Sequence, residues 1–145
     1  MSLALHLRIA GALLLLLAAA HPFLPRHLGW REDLAKLTLL NRQIFLVHVG
    51  FIVLILVLFG ALALVFTADL VAPSRLARAV LGGLALFWLL RLVTQHLVYD
   101  PSLWRGNRRN TAVHCGATLL WLYLTIVFGW GWWSQVAAGR AGLAP

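Results

Sequence analysis

Four long apolar runs dominate the pattern of hydrophobic and polar positions along this chain. An α-helix needs about 20 apolar residues to cross the hydrocarbon core of a bilayer, and each run is long enough. The pattern therefore predicts an all-α integral membrane protein, a single membrane domain over residues 1–145 with four transmembrane helices in an up-down bundle. The predicted spans cover residues 3–24, 43–66, 76–99 and 111–133.

The polar segments between the runs predict where the helices end and what joins them. Residues 28–40 combine leucines at helical spacing with charged residues and Trp30, a pattern typical of a short amphipathic helix in the membrane interface. Asp100-Pro101 is expected to end the third span, because proline lacks an amide donor and clashes with the preceding turn. Residues 134–145 are small and polar, and we expect this tail to be frayed.

The first apolar run has a second interpretation. A short basic start, an apolar centre and three alanines before His21 are also the outline of a secretory signal peptide. The runner-up architecture is therefore a mature protein of three spans that begins at His21. The intact mass of the purified protein distinguishes the two.

Positive charges are unevenly distributed between the two predicted faces. Residues 25–42 and 100–110 carry seven Lys and Arg residues, whereas the segments of the opposite face carry four. Lys and Arg favour cytoplasmic loops, so this count places both termini outside. A cleaved signal peptide would require the reverse, and the sequence leaves the orientation open.

Composition agrees with the membrane class and limits the partners. Hydrophobic residues make up 62% of the chain, against about half in soluble domains. The formal net charge is +8, and its arginines cluster between the apolar runs, so we interpret them as contacts with anionic lipid headgroups and not with nucleic acid. The expected location is a cytoplasmic (inner) membrane, with other membrane subunits as a further class of partner. Cys115, the single cysteine, cannot form an intrachain disulfide.

Three histidines on different spans are predicted to lie at a similar depth near one membrane face. His48 lies about 9 Å into the second span, and His96 and His114 lie about 6 Å into the third and fourth, at 1.5 Å per residue. Because successive spans alternate in direction, these depths are measured from the same face. His114 also belongs to a polar stripe, which should face the bundle interior. The stripe consists of Asn110, His114, Thr118, Trp121 and Thr125.

This arrangement suggests a metal or haem site. Neutral imidazole is the commonest metal ligand, and three histidines with an open position form a known catalytic set that suits Zn, Cu or Fe. Two facing imidazoles would instead ligate haem b. Either site would give the protein a redox or accessory-subunit role, although the sequence assigns no catalytic residue and leaves enzymatic activity open. The alternative is a non-catalytic membrane subunit or assembly factor, whose polar residues only pack helices.

The third span carries a second candidate set, for cofactor binding. Trp88, Arg91, Gln95 and Tyr99 recur at three- and four-residue spacing and therefore share one helix face. All four acidic residues lie outside the spans, so Arg91 has no predicted counter-charge within the bilayer. A pocket there would bind a quinone oxygen or a lipid headgroup. The alternative is that Arg91 extends to the interface and has no ligand.

Overall fold

The computed structural model describes residues 2–142 of the chain, and every regular element in this part is helical. Four helical segments in it are long and apolar enough to cross a membrane, which confirms the number of long apolar helices predicted. Short 3₁₀ turns at His21–Phe23 and Pro101–Leu103 connect helices. The helices are α1 (Leu3–Ala20), α2 (Leu24–His27), α3 (Trp30–Ala35), α4 (Leu39–Val65), α5 (Thr67–Val71), α6 (Arg75–Leu97) and α7 (Arg108–Arg140).

Side-chain caps set where the long helices begin. Thr38 accepts a hydrogen bond from the backbone N–H of Asn41 at the start of α4, and Ser74 accepts one from that of Ala77 at the start of α6. Asn107 accepts from two backbone N–H groups in the first turn of α7. Such caps pair amides that the first turn of a helix leaves unsatisfied. The three helices therefore begin earlier than the apolar runs alone indicate.

Two segments differ from the sequence-based expectation. In place of one interfacial helix over residues 28–40, α3 covers only Trp30–Ala35, because Gly29 has a left-handed φ of 66° before it and Thr38 already caps the next helix. In place of a frayed tail from residue 134, α7 continues to Arg140. Its last turns are held by the buried side chain of Gln135. Residues 143–145 of the expected tail lie outside the described residues.

Contacts within the chain define two compact units. One consists of Met1–Leu7 and Ala68–Pro145, and the other of Arg8–Thr67. In the Arg8–Thr67 unit, α1 and α4 approach closely at two glycines. A Cβ built on Gly11 would lie 2.8 Å from the carbonyl oxygen of Gly60, and one built on Gly60 would lie 2.9 Å from the side chain of Leu15. Small residues of this kind let helix backbones come together.

In the other unit, α6 and α7 form an antiparallel hairpin that contains the candidate site. Contacts pair Leu81 with Gly131 near one end and Gln95 with His114 near the other. Buried positions on both helices recur mostly at three- and four-residue spacing, the pattern of helices that pack side by side over several turns. On α6 they are Ala77, Leu81, Leu84, Trp88 and Gln95, and on α7 they are Trp121, Leu124, Val127, Phe128, Gly131 and Gln135.

Candidate functional site

A hydrogen-bonded chain of three side chains links α6 to α7. The guanidinium Nη1–H of Arg91 donates to Gln95 Oε1 at 3.0 Å, and Gln95 Nε2 lies 2.9 Å from His114 Nδ1. Arg91 and Gln95 are four residues apart on one helix, so their side chains meet on the same face. Gln95 is buried, and these two contacts use both ends of its amide. A polar residue is thereby accommodated in an otherwise apolar helix seam.

Arg91 fixes the orientation of the Gln95 amide. A guanidinium only donates hydrogen bonds, so the amide must turn its oxygen towards Arg91 and its NH₂ group towards His114. His114 Nδ1 then accepts that hydrogen bond, and a neutral imidazole with an accepting Nδ1 carries its proton on Nε2. His114 therefore offers an N–H donor, and not a lone pair, to any group that approaches Nε2.

Aromatic rings surround the Arg91 guanidinium. Its Cζ lies 4.9 Å from the ring centroid of Trp121 and 5.7 Å from that of Tyr99. Trp121 in turn stacks on Trp88, with centroids 5.1 Å apart and ring planes at 12°. A cation over an aromatic face is stabilised by about 0.5–2 kcal/mol. These cation–π contacts thus offset part of the hydration free energy that the Arg91 guanidinium loses on partial burial.

The site has more hydrogen-bond donors than acceptors. Among residues 2–142, the buried side-chain polar atoms without a partner are the indole nitrogens of Trp88 and Trp121 and the hydroxyl of Thr118. The two tryptophans are only 2% and 7% exposed. Arg91 forms no ion pair with any described carboxylate of its unit. A buried donor left unpaired costs about 1–3 kcal/mol, so this surplus requires an explanation.

The loop that follows α6 covers His114. The Trp104 ring stacks on the imidazole of His114, with centroids 3.8 Å apart and planes at 9°. Thr111 Oγ1 donates to the Trp104 carbonyl at 2.7 Å, and Asn110 Nδ2 donates to the carbonyl of Leu103 at 2.8 Å. These bonds hold the loop, and with it the tryptophan, against the first turns of α7.

The structure brings His96 and His114 together and assigns His48 to the other unit. The rings of His96 and His114 meet edge to face with centroids 5.6 Å apart, but His96 is exposed. His48 lies in Arg8–Thr67, where its Nδ1 is 2.8 Å from the carbonyl oxygen of Ile44 on its own helix. Among residues 2–142, no group of three or more His, Cys, Asp and Glu side chains is arranged to hold a metal ion. The metal and haem hypotheses therefore gain no support.

Two aromatic residues of this site were not assigned to it from the sequence. Trp121 lies seven residues after His114 on the polar stripe of the fourth span, and this spacing was a usable signal. Trp104 had no periodic signal, because it lies in a loop whose path depends on the hydrogen bonds of Thr111 and Asn110.

Comparison with protein-family models, with curated proteins and with solved structures finds no significant match to this chain.

Proposed function

We propose that the chain is an integral membrane protein whose four long apolar helices cross an inner membrane as an up-down bundle. Exposed apolar surface supports this proposal. The most apolar window of α4 has a mean hydropathy of 2.9, and only 11% of it is buried inside the protein. Soluble proteins rarely expose apolar patches beyond roughly 300–600 Å². Lipid tails can cover such a surface, and a helix forms all its backbone hydrogen bonds internally, as the hydrocarbon of a bilayer requires.

We propose further that the α6–α7 seam binds a membrane-soluble ligand through oxygen atoms. One observation carries this proposal: two buried indole N–H groups lack acceptors beside a guanidinium that lacks a carboxylate. A carbonyl, carboxylate or phosphate oxygen would supply these acceptors, and it must enter between the two helices to do so, because protein atoms cover the indole nitrogens. A hydrogen bond to a charged group contributes about 1.5–3 kcal/mol. Quinones and lipid headgroups both carry such oxygens.

The hydrogen bond at His114 favours this ligand class over a transition metal or haem b. A metal-bound histidine almost always donates its second ring N–H to a carboxylate, a carbonyl or water. His114 Nδ1 instead accepts from the Gln95 amide, which leaves the proton on the nitrogen that a metal would need. The metal and haem roles stay predictions, and a Soret band or stoichiometric Zn, Cu or Fe in the purified protein would favour them.

The alternative role, in which polar residues only pack helices, accounts for the aromatic rings around Arg91. It does not account for the polar atoms of Trp88, Trp121 and Thr118, which are buried without a partner. This observation favours a binding module over a purely structural subunit.

The test is recovery of a bound ligand from the full chain purified in a mild non-ionic detergent. Organic extraction and mass spectrometry should give one lipid or quinone in stoichiometric amount. Arg91→Gln removes the charge and should lose that ligand, whereas Arg75→Gln, a matched change at an exposed arginine at the other end of α6, should keep it. Equal recovery from both variants would reject the site. No ligand from folded wild-type protein would favour the packing role.

A further inference from the structure

We infer that the α6–α7 site binds the phosphate group of an anionic phospholipid; this inference rests on the binding site proposed above. Three features lead to this ligand class: the charge of the site, the direction in which Arg91 extends, and the order of the donors along the two helices.

The charge of the site calls for an anion. A guanidinium stays protonated under all ordinary conditions. Of the two carboxylates in the same unit, that of Asp100 accepts the backbone N–H of Ser102 at 2.7 Å, and it ion-pairs with no described residue. A neutral quinone would leave Arg91 uncompensated in an apolar environment, whereas a phosphate would balance it and accept from its free N–H groups.

Arg91 extends towards the membrane face, where a phosphate lies. Its guanidinium contacts Gln95 and Tyr99, which both follow it in the chain. The side chain therefore points towards the α6–α7 loop and shifts the charge by up to about 6 Å at the helical rise. That loop and the start of α7 carry Arg105, Arg108 and Arg109, which raise the local concentration of anionic lipid.

The donors also follow the order of acceptors in a phospholipid. Gln95 and His114 lie near the loop end of the hairpin, and their side chains are hydrogen-bonded to each other. The backbones of Trp88 and Trp121 lie seven positions deeper on their helices, and the Trp121 ring reaches to 4.9 Å from Arg91 Cζ. A phospholipid presents its phosphate outermost, its ester carbonyls below, and then its acyl chains. Exposed leucines at the same level, such as Leu90 and Leu119, would contact those chains.

The experiment measures ligand binding to the full chain by native mass spectrometry in a non-ionic detergent. The probes are phosphatidylglycerol, phosphatidylcholine, ubiquinone and inorganic phosphate, each titrated separately. We expect one phosphatidylglycerol to bind about tenfold or more tightly than phosphatidylcholine. Both lipids carry a phosphate, but the choline cation of phosphatidylcholine cancels its net charge and is repelled by Arg91. Arg91→Gln should abolish the preference, Arg91→Lys should restore part of it, and Arg75→Gln, at an exposed arginine at the other end of α6, should leave it unchanged.

The indoles provide a second readout that does not alter the charge. Trp88→Phe and Trp121→Phe keep an aromatic ring but remove the N–H. Each change should weaken the binding of phosphatidylglycerol several-fold, while the circular dichroism spectrum stays that of the wild type. Unchanged affinity in both variants would contradict the assigned roles of the indoles and overturn the graded arrangement of donors.

The failures of the two proposals are distinguishable. Stoichiometric ubiquinone without a preference for phosphatidylglycerol would overturn the phosphate inference and leave the oxygen-binding site standing. Saturation by inorganic phosphate, with no added affinity from a lipid, would overturn the lipid as the source of the phosphate. Binding of none of the four probes by folded protein would overturn both proposals.

Discussion

The side chain of Gln135 joins the end of α7 to the last residues of α5 and the turn that leads to α6, and its replacement by leucine should destabilise the protein. Gln135 is 3% exposed, and its Nε2 lies 3.0, 3.3 and 3.0 Å from the carbonyl oxygens of Leu70, Val71 and Ala72. Its Oε1 accepts the backbone N–H of Ser74 at 2.9 Å. Leucine has a similar volume but makes none of these hydrogen bonds.

The magnitude follows from the hydrogen bonds that leucine removes. An amide NH₂ has two hydrogens, so two of the three carbonyl contacts are full bonds at one time, and the bond from Ser74 is the third. Each bond contributes about 0.5–1.5 kcal/mol net, and a fully buried group left unpaired costs about 1–3 kcal/mol. The bond to Leu70 is buried, whereas the others are partly exposed. We therefore expect Gln135→Leu to lower the free energy of unfolding by roughly 2–4 kcal/mol.

The measurement is equilibrium unfolding in mixed micelles, with helix content followed by circular dichroism as the denaturing detergent increases. Gln43→Leu is the matched control, because Gln43 is exposed on α4, and it should stay within about 0.5 kcal/mol of the wild type. Gln135→Glu keeps the acceptor for Ser74 but loses the donor, so it should be at least as unstable as the leucine variant. If Gln135→Leu matched the wild type, these hydrogen bonds would not hold the two segments together.

Three further predictions concern other parts of the chain. Gly60→Ala should lower the free energy of unfolding by about 1–3 kcal/mol, because the added Cβ meets the opposite helix. Gly50→Ala, whose Cβ meets nothing within 4 Å, should not lower it, and thermal unfolding of the two variants tests the difference. A backbone hydrogen bond from Ser102 lowers the pKa of Asp100 below its ordinary 3.8, so the contribution of this carboxylate to stability is present above pH 3.8 and is lost as the pH falls through the lowered pKa. A carboxyl NMR titration that gave a pKa of 3.8 or more would contradict this. Nitrogen NMR should show His114 protonated on Nε2 and not on Nδ1, and Gln95→Leu should abolish this fixed tautomer; a wild-type spectrum with Nδ1 protonated would refute the assigned hydrogen bond.

The four long helices could be predicted from the sequence, because an uninterrupted apolar run is a strong local signal. Their first residues could not, because the caps at Thr38, Ser74 and Asn107 extend each helix into polar sequence. The helical continuation to Arg140 was missed for a related reason. It depends on Gln135, whose partners lie more than sixty residues earlier in the chain.

The candidate site was harder to predict than the helices. Residue counting gives the depth of a side chain along its helix but not which neighbouring helix it faces. Equal depth suggested one site for His48, His96 and His114. The structure brings His96 and His114 together, whereas His48 belongs to the other unit, and its place in that site stays a prediction. The surplus of donors was not visible either, since an indole N–H is known to be unpaired only when its surroundings are known.

The unequal lengths of α6 and α7 affect how the hairpin would fit a bilayer. At 1.5 Å per residue, the 33 residues of α7 extend about 50 Å and the 23 residues of α6 about 35 Å, against a hydrocarbon core of about 30 Å. Tilting cannot remove this difference, because two helices packed along each other tilt together. At least two turns of α7 would therefore extend beyond the hydrocarbon, and its polar ends, residues 108–110 and 134–140, suit headgroups and water. The apolar part of α7 would then match α6 in length, and its extra turns would stand in the interface, where they could contact other molecules at the membrane surface.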